Sequence, residues 1–97
     1  MKVGDIVKIK PKLETNGVYK NVVFLKEMKQ ALNKYGRITR IDKEGAFTYC
    51  QIQFITIPEE KQEDLKNFWW DESMLTIIKK GTEQWTKMQG IIMVEKL

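Results

Sequence analysis

The sequence predicts a small, mainly β domain with a minor α component. Three observations predict it. Residues 46–57 alternate apolar and polar side chains, which is the two-residue period of a half-buried strand. Short β-prone runs recur along the chain and are separated by turn signals such as Asn16-Gly17, Gly45 and Lys80-Gly81. Between Leu25 and Tyr35 the period changes to helical spacing, and only shorter helical candidates follow. A chain of 97 residues with 42% hydrophobic content is expected to form one domain around one core.

Val3 to Lys10 reads as the first strand, with Val7 and Ile9 on one face and Lys8 and Lys10 on the other. Pro11 ends it, because proline cannot donate to a ladder. Val18 to Phe24 is a second extended candidate after the Asn16-Gly17 turn. Leu25, Met28, Leu32 and Tyr35 then fall on one face of a helix that starts between residues 24 and 27 and is closed by Gly36. Arg37 to Ile41 is the next strand, and Asp42-Lys43-Glu44-Gly45 a hairpin loop. In the strand that follows, Cys50, Ile52 and Phe54 face the core, while Phe47, Tyr49, Gln51 and Gln53 face away. Pro58 to Asn67 is strongly charged, with Leu65 its one apolar residue, and reads either as a short helix or as an exposed loop. Phe68 to Trp70 returns to strand character. Asp71-Glu72-Ser73 is a tight turn, one 3₁₀ turn, that sets Met74 and Leu75 back on the core. Thr76 to Lys79 is a strand, Thr82 to Gln89 a short helix with Thr82 as N-cap and Gly90 as its end, and Ile91 to Val94 a last strand.

Three of these pieces carry a resemblance. Gly4-Asp5-Ile6-Val7-Lys8-Ile9 opens the chain. Gly36-Arg37-Ile38-Thr39-Arg40-Ile41-Asp42 begins a hairpin that ends in Tyr49-Cys50-Gln51-Ile52-Gln53-Phe54. Trp70-Asp71-Glu72-Ser73-Met74-Leu75 closes the set. This order resembles the small SH3-like barrels of phage and bacterial proteins and the mind-bomb-type repeats. Their pattern is a Gly-Asp-x-Val opening, a Gly-x-Ile/Val-x-x-Ile strand, a Tyr/Val/Phe strand and a Trp-x-x-x-x-Leu ending. Lys26-Glu27-Met28 matches a helix that short phage proteins of this kind insert after the first strand. The resemblance implies a single SH3-like barrel domain over 1–97, with its core at 3–79, one inserted helix and a C-terminal extension at 80–97. It also implies a phage or mobile-element source and makes Trp70 the structural tryptophan. The extension adds either an edge strand or a dimer contact. A Src-type peptide groove finds no match in the residues.

The chain has no histidine, which removes the commonest general base, metal ligand and pH switch. Cys50 is the lone cysteine and falls on the predicted core face, and Ser73, the one serine, has no histidine to activate it. Glu59, Glu60, Glu63 and Asp64 lack the glycine-bearing loop of an EF-hand, and the scattered glycines form no nucleotide fingerprint. The expectation is therefore a protein without catalytic residues, metal or cofactor. The N-terminus has no secretory apolar run, no window is long enough to span a membrane, and a lone cysteine forms no internal disulfide, so a cytoplasmic protein is expected.

Two candidate surfaces remain. Trp69 and Trp70 are adjacent, so in a strand they point to opposite sides. Trp69 would share its face with Phe47 or Tyr49, and tryptophan and tyrosine are frequent interface anchors. Large exposed apolar patches are rare in monomers, so the expectation is that the inserted helix covers this face. The second surface is basic. Residues 1–40 carry ten Lys or Arg against three Asp or Glu. Lys26, Lys29, Arg37 and Arg40 would present a cationic surface for an acidic protein or a single-stranded nucleic acid, or a merely solvated face. Arg40 would otherwise pair with Asp42 or with a carboxylate of residues 58–67. The reading favoured on these grounds is a protein-interaction module, a monomer or homodimer, with a nucleic-acid-binding barrel as the alternative.

Overall fold

The computed structural model describes residues 1–95, so the last two residues of the predicted extension lie outside the described residues. The strands are β1 (Ile6–Ile9), β2 (Val18–Tyr19), β3 (Val22–Val23), β4 (Tyr35–Glu44), β5 (Phe47–Phe54), β6 (Trp70–Asp71) and β7 (Leu75–Ile77). Two α-helices, α1 (Glu59–Leu65) and α2 (Glu83–Glu95), and two 3₁₀ segments, Lys26–Ala31 and Glu72–Met74, connect or flank them. The fold is mainly β with a minor α component, as the sequence predicts.

The strands β6-β5-β4-β1-β7 form one antiparallel sheet in that order. Its two edge strands, β6 and β7, are consecutive in sequence and joined only by the 3₁₀ turn Glu72–Met74. A connection that short cannot span a flat five-stranded sheet, so the sheet curls until its edges approach, as in a barrel. Lys10 N donates to the Met74 carbonyl at 3.0 Å, extending the β1–β7 ladder to the end of this turn. Asp71 holds the turn by accepting from Ser73 N at 2.9 Å and from the Ser73 hydroxyl. The core inside the curl contains Val7, Ile9, Ile38, Cys50, Ile52 and Trp70. The predicted inward face of β5 is correct: Cys50, Ile52 and Phe54 are all buried.

Several predicted elements differ. The helix over 25–35 shrinks to the 3₁₀ segment Lys26–Ala31, and its Met28 and Ala31 are buried in the main core. Asn33, at φ 64°, reverses the chain, and Tyr35 and Gly36 belong to β4 rather than to a helix end. Gly36 is required for a different reason than capping. A Cβ there would lie 2.3 Å from Ile52 Cγ2 and 3.0 Å from the Gln53 carbonyl, so only glycine allows β4 to approach β5. The extended candidate Val18 to Phe24 is a small hairpin, β2–β3, turning at Lys20 with φ 56°. The predicted loop Asp42–Gly45 is shorter: Asp42, Lys43 and Glu44 stay in β4, and the loop is Gly45-Ala46, with Gly45 at φ 62°.

The charged segment is a helix. Pro58 takes the N-cap of α1, and Leu65 is buried. Gln62 ties α1 to the end of β5: its Oε1 accepts from Phe54 N at 3.0 Å, and its Nε2 donates to the Phe54 carbonyl and, at 3.0 Å, to that of Ile57.

The largest correction is at the C-terminus. Gly90 does not end a helix and Ile91 to Val94 is not a strand; both lie within α2. Thr82 does act as its N-cap, accepting from Trp85 N at 3.3 Å. The reason for the continuation is packing. Trp85, Met88 and Ile92, spaced by three and four, lie against Ile6, Tyr35 and Ile78, and this second cluster offsets the about 1 kcal/mol that an interior glycine costs a helix.

Candidate protein-interaction face

β4 carries one irregularity that determines which side chains face solvent. Ile38 pairs with Ile52 and Arg40 with Gln51, so Thr39 is an extra residue on the β4 side, a β-bulge. The Thr39 hydroxyl donates to the Gln51 carbonyl at 3.2 Å and pins it. The bulge keeps both Ile38 and Ile41 turned to the core and puts Arg37, Arg40, Asp42 and Glu44 all on the outer face, opposite Gln53, Gln51, Tyr49 and Phe47.

The outer face is divided. Near β1, α2 covers it, and Arg37 lines a groove of about 420 Å³ with Ile6, Gln53, Trp85 and Met88. Toward β6 it is open. Cys50 pairs with Trp70 and Tyr49 with Asp71, so Trp70 points inward and Trp69 outward. Trp70 is fully buried, with ring centroids 6.5 Å from Phe24 and 5.8 Å from Phe54. Trp69 is half-buried, edge-on to Tyr49 at 6.1 Å. The Arg40 guanidinium lies over its ring at 5.4 Å, so Arg40 makes a cation–π contact rather than the predicted salt bridge, and no ion pair among the described residues involves it. The cover expected from the inserted helix is absent: the 3₁₀ segment packs into the core side, and α2 instead shields the β1 end of the outer face.

Beside the aromatic pair is a cleft of about 310 Å³ lined by Asn21, Val22, Asp42, Glu44, Tyr49 and Trp69. Asn21 Nδ2 donates to the Tyr49 hydroxyl at 3.4 Å, and that hydroxyl donates to Glu44 Oε2 at 2.8 Å. The Asn21 contact lowers the phenol's pKa. The Glu44 hydrogen bond, burial, and the fields of Glu44 and Asp42 outweigh it and raise the pKa above its ordinary value.

The other candidate residues are placed as follows. Phe47 is half-buried at the hairpin end, paired with Glu44. Lys26 and Lys29 are exposed on a segment that packs against the core side of the sheet, whereas Arg37 and Arg40 share the outer face. Sequence reasoning missed Asn21, Val22, Asp42 and Glu44. A signal for the last two was present: Ile38 and Ile41 cannot share a face in a regular strand, so a bulge between them was legible.

Cys50 is fully buried, and burial first, then the nearby Asp71 carboxylate, pushes its thiol up to about 12. A thiol so placed is protonated at neutral pH and is a weak nucleophile. Among the described residues, no group of three or more His, Cys, Asp or Glu is placed to hold a metal ion. No helix among them is long and apolar enough to cross a membrane. The chain matches no family model, no curated protein and no solved structure.

Proposed function

We propose that the chain is a non-catalytic protein-interaction module built on a small SH3-like barrel. The observation that carries this reading is the open outer face at Trp69: a half-buried tryptophan braced by Tyr49 and Arg40 beside a cleft. Rigid aromatic side chains held by their neighbours lose little entropy on binding and serve as anchors in interfaces. The curled sheet with its short closing turn supports the barrel assignment, and the opening, hairpin and closing motifs align with its strands. A phage- or mobile-element-encoded inhibitor of a host protein is one form of such a module.

The test compares wild type with Trp69→Ala in affinity capture from bacterial lysate, with melting temperature measured alongside. The reading expects a partner retained by wild type and lost by a variant that remains folded. Identical capture by both proteins, or no protein partner combined with retention of single-stranded DNA or RNA that falls steeply with salt, overturns it in favour of a nucleic-acid-binding barrel.

A further inference from the structure

We infer that the cleft beside Tyr49 and Trp69 receives a cationic side chain, a lysine or arginine, from an exposed basic segment of the partner protein. The inference rests on the interaction-module reading and names the chemistry of its site. The cleft combines three features that a cation recognises. Two aromatic rings form part of its wall, and such rings attract an ammonium or guanidinium within about 6 Å. Val22 supplies an aliphatic surface for the stem of a long side chain. Asp42 and Glu44 supply negative charge at the same place.

Neither carboxylate has a cationic partner among the described residues. Among the described residues the ion pairs are Lys20–Glu72 and Lys66–Glu63, so neither Asp42 nor Glu44 has a Lys or Arg within 4.0 Å. This holds in a chain with 17 Lys and Arg against 13 Asp and Glu. Glu44 is oriented by the Tyr49 hydroxyl, and Asn21 orients that hydroxyl in turn, so the acceptor is fixed before anything binds. Arg40 does not line the cleft, yet its guanidinium already rests on Trp69. The ring therefore holds this class of group within the chain itself. About 310 Å³ is at the small end of ligand sites and suits one side chain rather than a large cofactor. A phosphate in the same place would face two carboxylates, so the charge favours a basic peptide over a nucleic acid.

The experiment titrates the full chain with an acetylated, amidated peptide of three Lys-Gly repeats, and in parallel with its glutamine counterpart and with an eight-residue oligothymidine. The readout is the Trp69 indole N–H resonance, assigned with Trp69→Phe. The expected result is a saturable shift with the lysine peptide and none with the glutamine peptide or the oligonucleotide. The variant D42N/E44Q keeps the shape of both side chains and leaves Tyr49 an acceptor. It is expected to retain the wild-type melting temperature and to bind the lysine peptide at least tenfold more weakly. Equal binding of the lysine and glutamine peptides, unchanged affinity in D42N/E44Q, or a saturable shift with the oligonucleotide overturns the inference. The two proposals fail separately: if Trp69→Ala loses a captured partner that D42N/E44Q retains, the module stands and the cation site falls.

Discussion

Replacing Trp70 by alanine should remove a large fraction of the stability of this protein. The side chain is fully buried, and burying about 200 Å² of aromatic surface at about 25 cal/mol per Å² contributes about 5 kcal/mol. Its contacts with Phe24 and Phe54 add about 0.5–1.5 kcal/mol each. One feature works against it. The indole Nε1 is buried with no hydrogen-bond partner among the described residues, a cost of about 1–3 kcal/mol that truncation relieves. The net loss is about 5 kcal/mol, at the upper end of the range of about 3–5 kcal/mol for truncating core aromatics. Folded proteins have only about 5–15 kcal/mol in total, so Trp70→Ala should be marginally folded or unfolded. Trp69→Ala removes one edge contact and one exposed cation–π contact and should lose about 1–2 kcal/mol. Urea unfolding followed by far-ultraviolet circular dichroism gives both values, provided the slope with denaturant is unchanged. Trp70→Phe keeps most of the ring and deletes the unpartnered donor, so it should lose less than about 2 kcal/mol and guards against a variant that never folds. Equal losses for Trp69→Ala and Trp70→Ala would refute the assignment of one inward and one outward tryptophan.

Two glycines should respond in opposite directions. Gly36→Ala places a Cβ against Ile52 and the β5 backbone and should cost about 1–3 kcal/mol, read as a fall in melting temperature. Gly90→Ala meets nothing within 4 Å inside α2 and should stabilise by up to about 1 kcal/mol, read as a rise in the same assay. Cys50 should resist iodoacetamide at pH 8 in the native protein and react once urea unfolds it. Its folded pKa is raised from 9.0 to about 12, so the unfolded chain loses its proton first. The Cys50 contribution should be constant below pH 9 and fall as pH rises toward 12, and Cys50→Ala should reduce the alkaline fall in urea titrations, leaving the part that the raised Tyr49 phenol contributes. Asp71→Ala removes the acceptor that holds the closing 3₁₀ turn and should cost about 1 kcal/mol by urea unfolding.

The sheet was legible in the sequence wherever one face met the core and the other met water. β1 and β5 alternate, and their inward residues were assigned correctly. The closing 3₁₀ turn was legible because Trp70, Met74 and Leu75 had to return to one core. What was not legible depended on partners distant in sequence. Gly36 resembles a helix stop until Ile52 is seen against it. The β-branched pair Ile91-Ile92 resembles a strand until Met88 and Trp85 are seen to share a face with Ile92 against Tyr35 and Ile78. Alternation put Trp69 and Trp70 on opposite sides, the resemblance made Trp70 the inward one, and Phe47 or Tyr49 followed as the neighbours of Trp69. The charge beside them did not, because Asp42 and Glu44 resemble turn residues when the loop is started three residues early.

The extra residue at Thr39 makes β4 two strands of opposite phase spliced end to end. Ahead of the splice, the outward residues answer to α2; beyond it, they answer to β6 and the β2–β3 hairpin. Because Ile38 and Ile41 both stay inside, positions 40, 42 and 44 can vary in charge without touching the core, so the outer face can change its character while the curled sheet keeps its interior. Deleting Thr39 would leave plain alternation, with Ile38 and Ile41 still inward and Arg40, Asp42 and Glu44 still outward; what would go is the local kink that the extra residue gives the strand.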